Sequence, residues 1–290
     1  MKRIVILIAL LLIAGIAGIV RSKGTGHVGE LVSHNPSADS RDEIRKSYEL
    51  APGAKVEVSG INGSVKVETA DTKTAEVFIE RTASSPEALN RRRINIDADT
   101  NGLRIWSERG DVGFFERFFG SNPSERVTLK LPRQVSLTTK GINGALVVGD
   151  LDGSVEVRGV NGRVQIAGAK GTVDFKGING NIQVGLKQLN ADGVSISGIN
   201  GNIELQLSEG VNADLDAHGM NGRVVSELPE VTIEKEKGGR YSARIGTGGN
   251  AITARGINGN IRLTRASATT ATTVDAAVDS KRSASGSGQY

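Results

Sequence analysis

The chain has 290 residues, 38% of them hydrophobic, 3% aromatic and 23% charged, with 38 glycines, no cysteine and a formal net charge of +4. That apolar fraction suffices for one or two packed domains, and few aromatics with many glycines leave Val, Ile and Leu to build a core in thin layers between tight turns, which favours strands. The missing cysteine excludes disulfides, thiolate zinc sites and a lipidated cysteine, and a small, scattered basic excess argues against a nucleic-acid partner, which needs a massed basic patch.

Lys2 and Arg3 precede an unbroken apolar run at 4–13, then a small-residue stretch at 14–20. This is the pattern of an export segment. Cleavage after Ala17 would release the chain; left uncut, residues 4–20 reach the lower length limit of a spanning helix, with Arg21 and Lys23 at its outer border. Either outcome places the remainder in the periplasm or at the cell surface, anchored in the inner membrane in the second case. Residues 21–46 are polar, with Gly24, Gly26 and Pro36, and read as a flexible linker. His27 and His34 lie there without partners for a metal site.

Order is expected from about Tyr48, giving one domain over 47–265. Residues 55–59 and 64–67 alternate around a turn, and 75–81 form a further strand. A short helix follows, with Ser85 as cap, Pro86 as first residue, Glu87 at its positive end and the arginines at 91–93 at its negative end. Residues 94–98 and 103–107 flank Asn101-Gly102 as a hairpin, and 126–131 resume the strands before Pro132. Between them, Phe114, Phe115, Phe118 and Phe119 crowd one loop. They form either an apolar plug over one end of the fold or an exposed contact for a membrane or partner.

The unit Gly-apolar-Asn-Gly recurs seven times, at 60–63, 141–144, 159–162, 177–180, 198–201, 219–222 and 256–259. Across 145–180 the chain falls into nine-residue units, apolar at positions two, four and seven and Gly at nine; the Asn-Gly turn closes every second unit, so one rung is 18 residues. Later rungs lengthen to 21 residues by insertion after the turn, and a 37-residue interval holds a hairpin of 231–235 against 240–245 before a last rung at 251–263. Two strands and two turns per rung, with successive rungs paired in parallel about 4.8 Å apart, describe an all-β fold. It is a right-handed parallel β-solenoid of about 18–21 residues per rung, preceded by the export or anchor helix. The tail at 266–290, rich in Ala, Ser, Thr and Gly, is expected to be disordered.

The asparagine of the unit has a backbone reason, since Asn and Gly tolerate the positive φ of a tight turn. Stacking then places Asn143, Asn161, Asn179, Asn200 and Asn221 in a column whose amides can bond from rung to rung. Calcium between Asp-bearing turns would need Asp in every unit, yet only Asp150 and Asp152 share a turn. Neither a metal nor a cofactor is expected.

On the strand before each turn, outward position three reads Thr138, Glu156, Asp174, Ser195, Asp216 and position five reads Lys140, Arg158, Lys176, Ser197, His218. One reading is a solvated face whose acidic and basic columns neutralise each other. The other is a platform for an extended glycan or charged envelope polymer, carried by Glu156, Arg158, Asp174, Lys176, Asp216 and His218. Catalysis needs an acid and base in a cleft, or a nucleophile beside a base. His218 is the one histidine in the ordered part and no Gly-x-Ser-x-Gly elbow occurs, so no catalytic residue is expected.

With Val-Thr-Leu-Lys-Leu-Pro at 127–132 followed by the Gly-Ile-Asn-Gly and Val-Asn-Gly-x-Val rungs, residues 48–265 resemble a bacterial family of "putative adhesins", a domain of unknown function with a pectin-lyase-like parallel β-helix. That family has no established catalytic residues. The resemblance implies an envelope location and adhesion or surface interaction, with an envelope polysaccharide or a surface protein as partner. The expectation is a non-enzymatic envelope binding or scaffold protein. The alternatives are a membrane-tethered envelope-stress or signalling accessory protein and, more remotely, a degenerate polysaccharide-active enzyme.

Overall fold

The structure, a computed structural model, describes residues 40–110 and 122–266. The expected export or anchor segment, the linker up to residue 39, the cluster Phe114, Phe115, Phe118 and Phe119, and the tail beyond residue 266 lie outside the described residues. Among the described residues no helix is long and apolar enough to cross a membrane.

The chain begins with β1 (Ser40–Glu49), β2 (Lys55–Ser59), β3 (Gly63–Ala70) and β4 (Thr74–Ala83), then the single-turn helix α1 (Pro86–Leu89), β5 (Arg92–Asp99), β6 (Gly102–Arg109) and β7 (Ser124–Pro132). The repeats follow as β8 (Ser136–Ile142), β9 (Leu146–Leu151), β10 (Val155–Val160), β11 (Val164–Ala169), β12 (Val173–Asn179), β13 (Ile182–Leu186), β14 (Val194–Asn200), β15 (Ile203–Leu207), β16 (Ala213–His218) and β17 (Val224–Ser226). A hairpin, β18 (Val231–Glu236) with β19 (Arg240–Ile245), leads to β20 (Asn250–Asn258) and β21 (Ile261–Arg265).

Two large, mostly parallel sheets result, one of ten strands and one of eleven, and from β8 to β17 the chain alternates between them. The repeat unit explains the alternation. Val155, Val157 and Val160 of β10 are buried, as are Val164 and Ile166 of β11, so both strands of a rung face one shared apolar interior. Gly159, the first glycine of the corner, has φ of +62°. This left-handed step, open to glycine at little cost, lets Arg158 and Gly159 both face outward and returns Val160 to the core. Gly162, the last glycine, answers a different demand: a Cβ there would stand 2.2 Å from the Gly144 carbonyl oxygen of the adjacent rung. The left-handed backbone of the corner thus belongs to Gly159, which corrects the expectation that Asn161 is chosen for its tolerance of positive φ.

Rungs pair in register. Val155 of β10 faces Leu137 of β8 on one side and Val173 of β12 on the other. The expectation that every rung stacks on its predecessor fails beyond β14 and β15. There β20 lies between β14 and β16, and β21 lies between β15 and β17. The hairpin supplies the reason: β19 pairs antiparallel with one edge of β16, which leaves the other edge for the returning strand β20. The opposite end is also out of sequence order, with β2 between β6 and β8 and β3 between β7 and β9.

Three local boundaries differ from expectation. Residues 40–46, expected as linker, belong to β1, an antiparallel edge strand on β4 whose Ile44 and Tyr48 pack against the core while its polar residues face solvent. Helix α1 has its Ser85 cap, which accepts from Ala88 N at 3.2 Å, but ends at Leu89 with no basic residue in its last turn. Arg92 and Arg93 instead open β5, drawn out by the pairing of that strand with β6. The turn of this hairpin is Thr100-Asn101, between the paired Asp99 and Gly102, one residue earlier than expected, and Asn101 N donates to Asp99 Oδ1 at 2.8 Å.

Candidate functional site

The corner asparagines form one continuous chain of side-chain hydrogen bonds. Asn143 donates to Asn62 at 3.0 Å, Asn161 to Asn143 at 3.2 Å, Asn179 to Asn161 at 3.2 Å and Asn200 to Asn179 at 3.1 Å. Asn258 then donates to Asn200, and Asn221 to Asn258, each at 2.9 Å. Compared with the expected column, Asn62 extends it and Asn258 separates Asn200 from Asn221, because β20 is inserted ahead of β16. Asn62 Nδ2 closes the run on the Pro123 carbonyl at 2.9 Å.

The charged face lies on the eleven-stranded sheet. Glu156 faces Asp174 and Arg158 faces Lys176 across β10 and β12, whereas Asp216 and His218 stand apart on β16, beyond β14 and β20. Arg158 bridges Glu156 and Asp174, the latter at 3.5 Å, and Lys140 reaches Glu57 at 3.6 Å. His218 Nε2 lies 2.7 Å from Asp216 Oδ2, which Arg240 shares at 3.5 Å. Such exposed pairs contribute at most about 1 kcal/mol each, but they leave most of this face neutral. Lys176, and Arg255 on the inserted β20, have no ion-pair partner among the described residues.

In the turn where two Asp fall together, Asp150 pairs with Arg133 at 3.3 Å and Lys187 at 2.8 Å, and Asp152 pairs with Lys170 at 2.8 Å. Among the described residues no three His, Cys, Asp or Glu side chains gather in a metal-ligating group.

Among the described residues Glu125 is the one buried carboxylate, at 1% exposure. It accepts from Asn62 N at 2.9 Å, Arg92 Nε at 3.1 Å and Ser107 Oγ at 2.6 Å. Three donors, one of them cationic, tie this carboxyl group to three segments of the fold.

A second surface, on the ten-stranded sheet, is concave. A groove of about 490 Å³ runs along the corner where the chain enters β11, β13, β15, β21 and β17. Arg163, Asn181, Asn202, Asn260 and Arg223 occupy the same position in successive rungs, immediately after the last glycine of the corner. Asn202 N donates to Asn181 Oδ1 and Asn260 N to Asn202 Oδ1, both at 3.0 Å, and Arg223 N donates to Asn260 Oδ1 at 3.1 Å. Outward residues Gln183, Glu204 and Arg262 form the adjoining wall. Sequence reasoning passed over this row, although its signal is present as Gly-Ile-Asn-Gly-Asn at 177–181, 198–202 and 256–260.

No family model matches the chain, and no curated protein matches its sequence. Solved structures are similar to it at a distance. A "putative cell adhesion protein" from Clostridium sporogenes is 15% identical, with a TM-score of 0.35, over 78% of this chain and 100% of that one. A "putative adhesin" from Bacteroides fragilis is 13% identical, with a TM-score of 0.31, over 77% and 98% of the two chains. A "putative lipid binding protein" from Parabacteroides distasonis is 13% identical, with a TM-score of 0.23, over 77% and 95%. These likenesses are too distant to carry a function to this chain.

Proposed function

We propose that this chain is a non-enzymatic binding or scaffold protein of the cell envelope, a right-handed parallel β-solenoid that presents repeated polar groups to an extended partner. The observation that carries this reading is register. Equivalent outward residues stand one strand apart along both sheets, as in Arg158 beside Lys176 and Gln165 beside Gln183. A surface that repeats at one strand spacing suits a linear polymer better than a single small molecule, which fills only one step. The alternation of the chain between two sheets, with an 18-residue offset from Val155 to Val173, supports the solenoid. The basic-then-apolar run at 2–20 supports export. The saturation of Glu125 and the sharing of Asp216 between His218 and Arg240 support a binder over an enzyme.

The test is co-sedimentation of the full chain with purified envelope polysaccharide and with protein-stripped cell wall, combined with cell fractionation and an assay for newly released chain ends. Retention on the polymer, recovery in the envelope fraction and no release of ends are expected. Recovery in the cytoplasm, failure to bind any envelope polymer, or polymer cleavage would overturn the reading.

A further inference from the structure

Resting on that reading, we propose that the groove over β11, β13, β15, β21 and β17 is where the partner lies, and that the partner is a linear glycan bearing carboxylates. The argument starts from hydrogen-bond accounting. Each of Asn181, Asn202 and Asn260 has its Oδ1 occupied by the backbone N–H of the next rung. A carboxamide so fixed turns its NH2 away from that bond, and these three NH2 groups have no partner among the described residues. The row therefore offers NH2 donors along its length, with one of the two lone pairs of each Oδ1 already taken.

Charge points the same way. Arg163 and Arg223 are exposed at the two ends of the row, and neither side chain has a partner among the described residues. Arg262 adds a third cation, itself paired with Glu227 at 3.1 Å. The one carboxylate in the lining, Glu204, is engaged through Oε1 by Gln206 Nε2 at 2.9 Å and Thr264 Oγ1 at 3.4 Å, and the three arginines outnumber it. An occupant must supply acceptors to the amides and negative charge to the arginines. Carboxylates answer the planar fork of Arg, and sugar hydroxyls and ring oxygens answer the amides.

Length selects a polymer. Four strand spacings separate the backbones of Arg163 and Arg223, about 19 Å at about 4.8 Å per step. One small anion would engage a single end. The lining contains no aromatic residue, so nucleobases would find no ring to stack on, which sets a polyanionic glycan ahead of single-stranded nucleic acid. On the opposite sheet Arg158 is held between Glu156 and Asp174, and the unpaired Lys176 and Arg255 are separated by Ser197.

The experiment measures binding of the full chain to alginate, to neutral dextran and to single-stranded oligothymidine, at one fixed salt concentration, with thermal melting as a check on folding. Three variants are compared: Arg163→Gln with Arg223→Gln, Asn202→Asp, and Arg158→Gln with Lys176→Gln on the other sheet. Asn202→Asp keeps the acceptor for Asn260 N while replacing the free donor with an anionic oxygen. Alginate binding by the unaltered chain is expected, falling about tenfold or more in the first two variants and less than about twofold in the third. Loss in the third variant but not in the first two would overturn the groove and leave the proposed function standing. Equal binding of dextran, or tighter binding of oligothymidine, would overturn the ligand class. Failure to bind alginate together with failure on every envelope polymer would remove the proposed function as well.

Discussion

The side-chain amide of Asn258 donates to Asn200 Oδ1 at 2.9 Å, across 58 residues of sequence. Asn221 follows Asn200 by 21 residues, yet it reaches the column only through Asn258. Each inner asparagine both donates and accepts, whereas Asn221 at the end only donates. Asn179→Ala should therefore cost about 1–3 kcal/mol and Asn221→Ala about 0.5–1.5 kcal/mol, at a net of roughly 0.5–1.5 kcal/mol per bond. Urea unfolding of both variants checks the difference; equal losses would show that the column is geometric only.

Inserted strand order has a covalent test, favoured by the absence of native cysteine. Ser195 pairs with Thr253, and Thr253 with Asp216. Under mild oxidation, Ser195→Cys with Thr253→Cys should cross-link in the full chain, while Ser195→Cys with Asp216→Cys should not, because two strand spacings of about 9.6 Å exceed disulfide reach. Non-reducing electrophoresis after a single proteolytic cut reads the result.

Two glycines separate crowding from conformation. Gly162→Ala places a Cβ 2.2 Å from a backbone oxygen that cannot move without its whole rung, and loss of cooperative folding is expected. Gly210, with φ of +79° and open space around it, should lose only about 1–2 kcal/mol on substitution by Ala, the usual left-handed penalty. Thermal denaturation distinguishes the two.

Thr139 is fully buried in β8 and its hydroxyl has no hydrogen-bond partner. Its neighbours in the same inward row are Val58 and Val157. Thr139→Val keeps the shape, removes the unpaired hydroxyl and should raise stability by about 1 kcal/mol or more in chemical denaturation.

Asp214 fastens the return into β20. Its carboxylate accepts from Gly249 N at 2.9 Å and from Arg244 Nε at 3.1 Å, and these bonds hold its pKa below the ordinary value of 3.8. A depressed folded-state pKa gives stability that is present above the unfolded value and lost as pH falls through the folded one. Protection of the Gly249 amide, taken relative to its intrinsic exchange rate, should thus fall below about pH 4, and Asp214→Asn should abolish that acid dependence. An unchanged pH profile in the variant would assign the effect elsewhere.

What could be read from the sequence followed from local chemistry. The nine-residue period fixed the inward positions of Val155, Val157 and Val160, and the Asn-Gly corner marked the bonded column. Spatial order could not be read this way. Residues 213–226 and 251–263 carry the same corner and inward pattern, so their spacing allows either to sit beside β14 and β15. Only the edge taken by β19 decides between them. The groove row was not legible because Asn181, Asn202 and Asn260 stand one residue beyond the corner, and their role depends on bonds to the backbone of the next rung. The charged face was legible as a pattern, but its neutralisation depends on diagonal reach between strands, as in Arg158 to Asp174.

The inserted rung also decides how the molecule bears load. Arg265, where the final strand ends, leaves from an interior position: β21 is paired with β15 over five residues and with β17 over three. Tension applied through the segment that follows would pull along two parallel ladders together, so their hydrogen bonds would have to shear at once instead of peeling from an edge one by one. A molecule tugged from that side is gripped from both flanks.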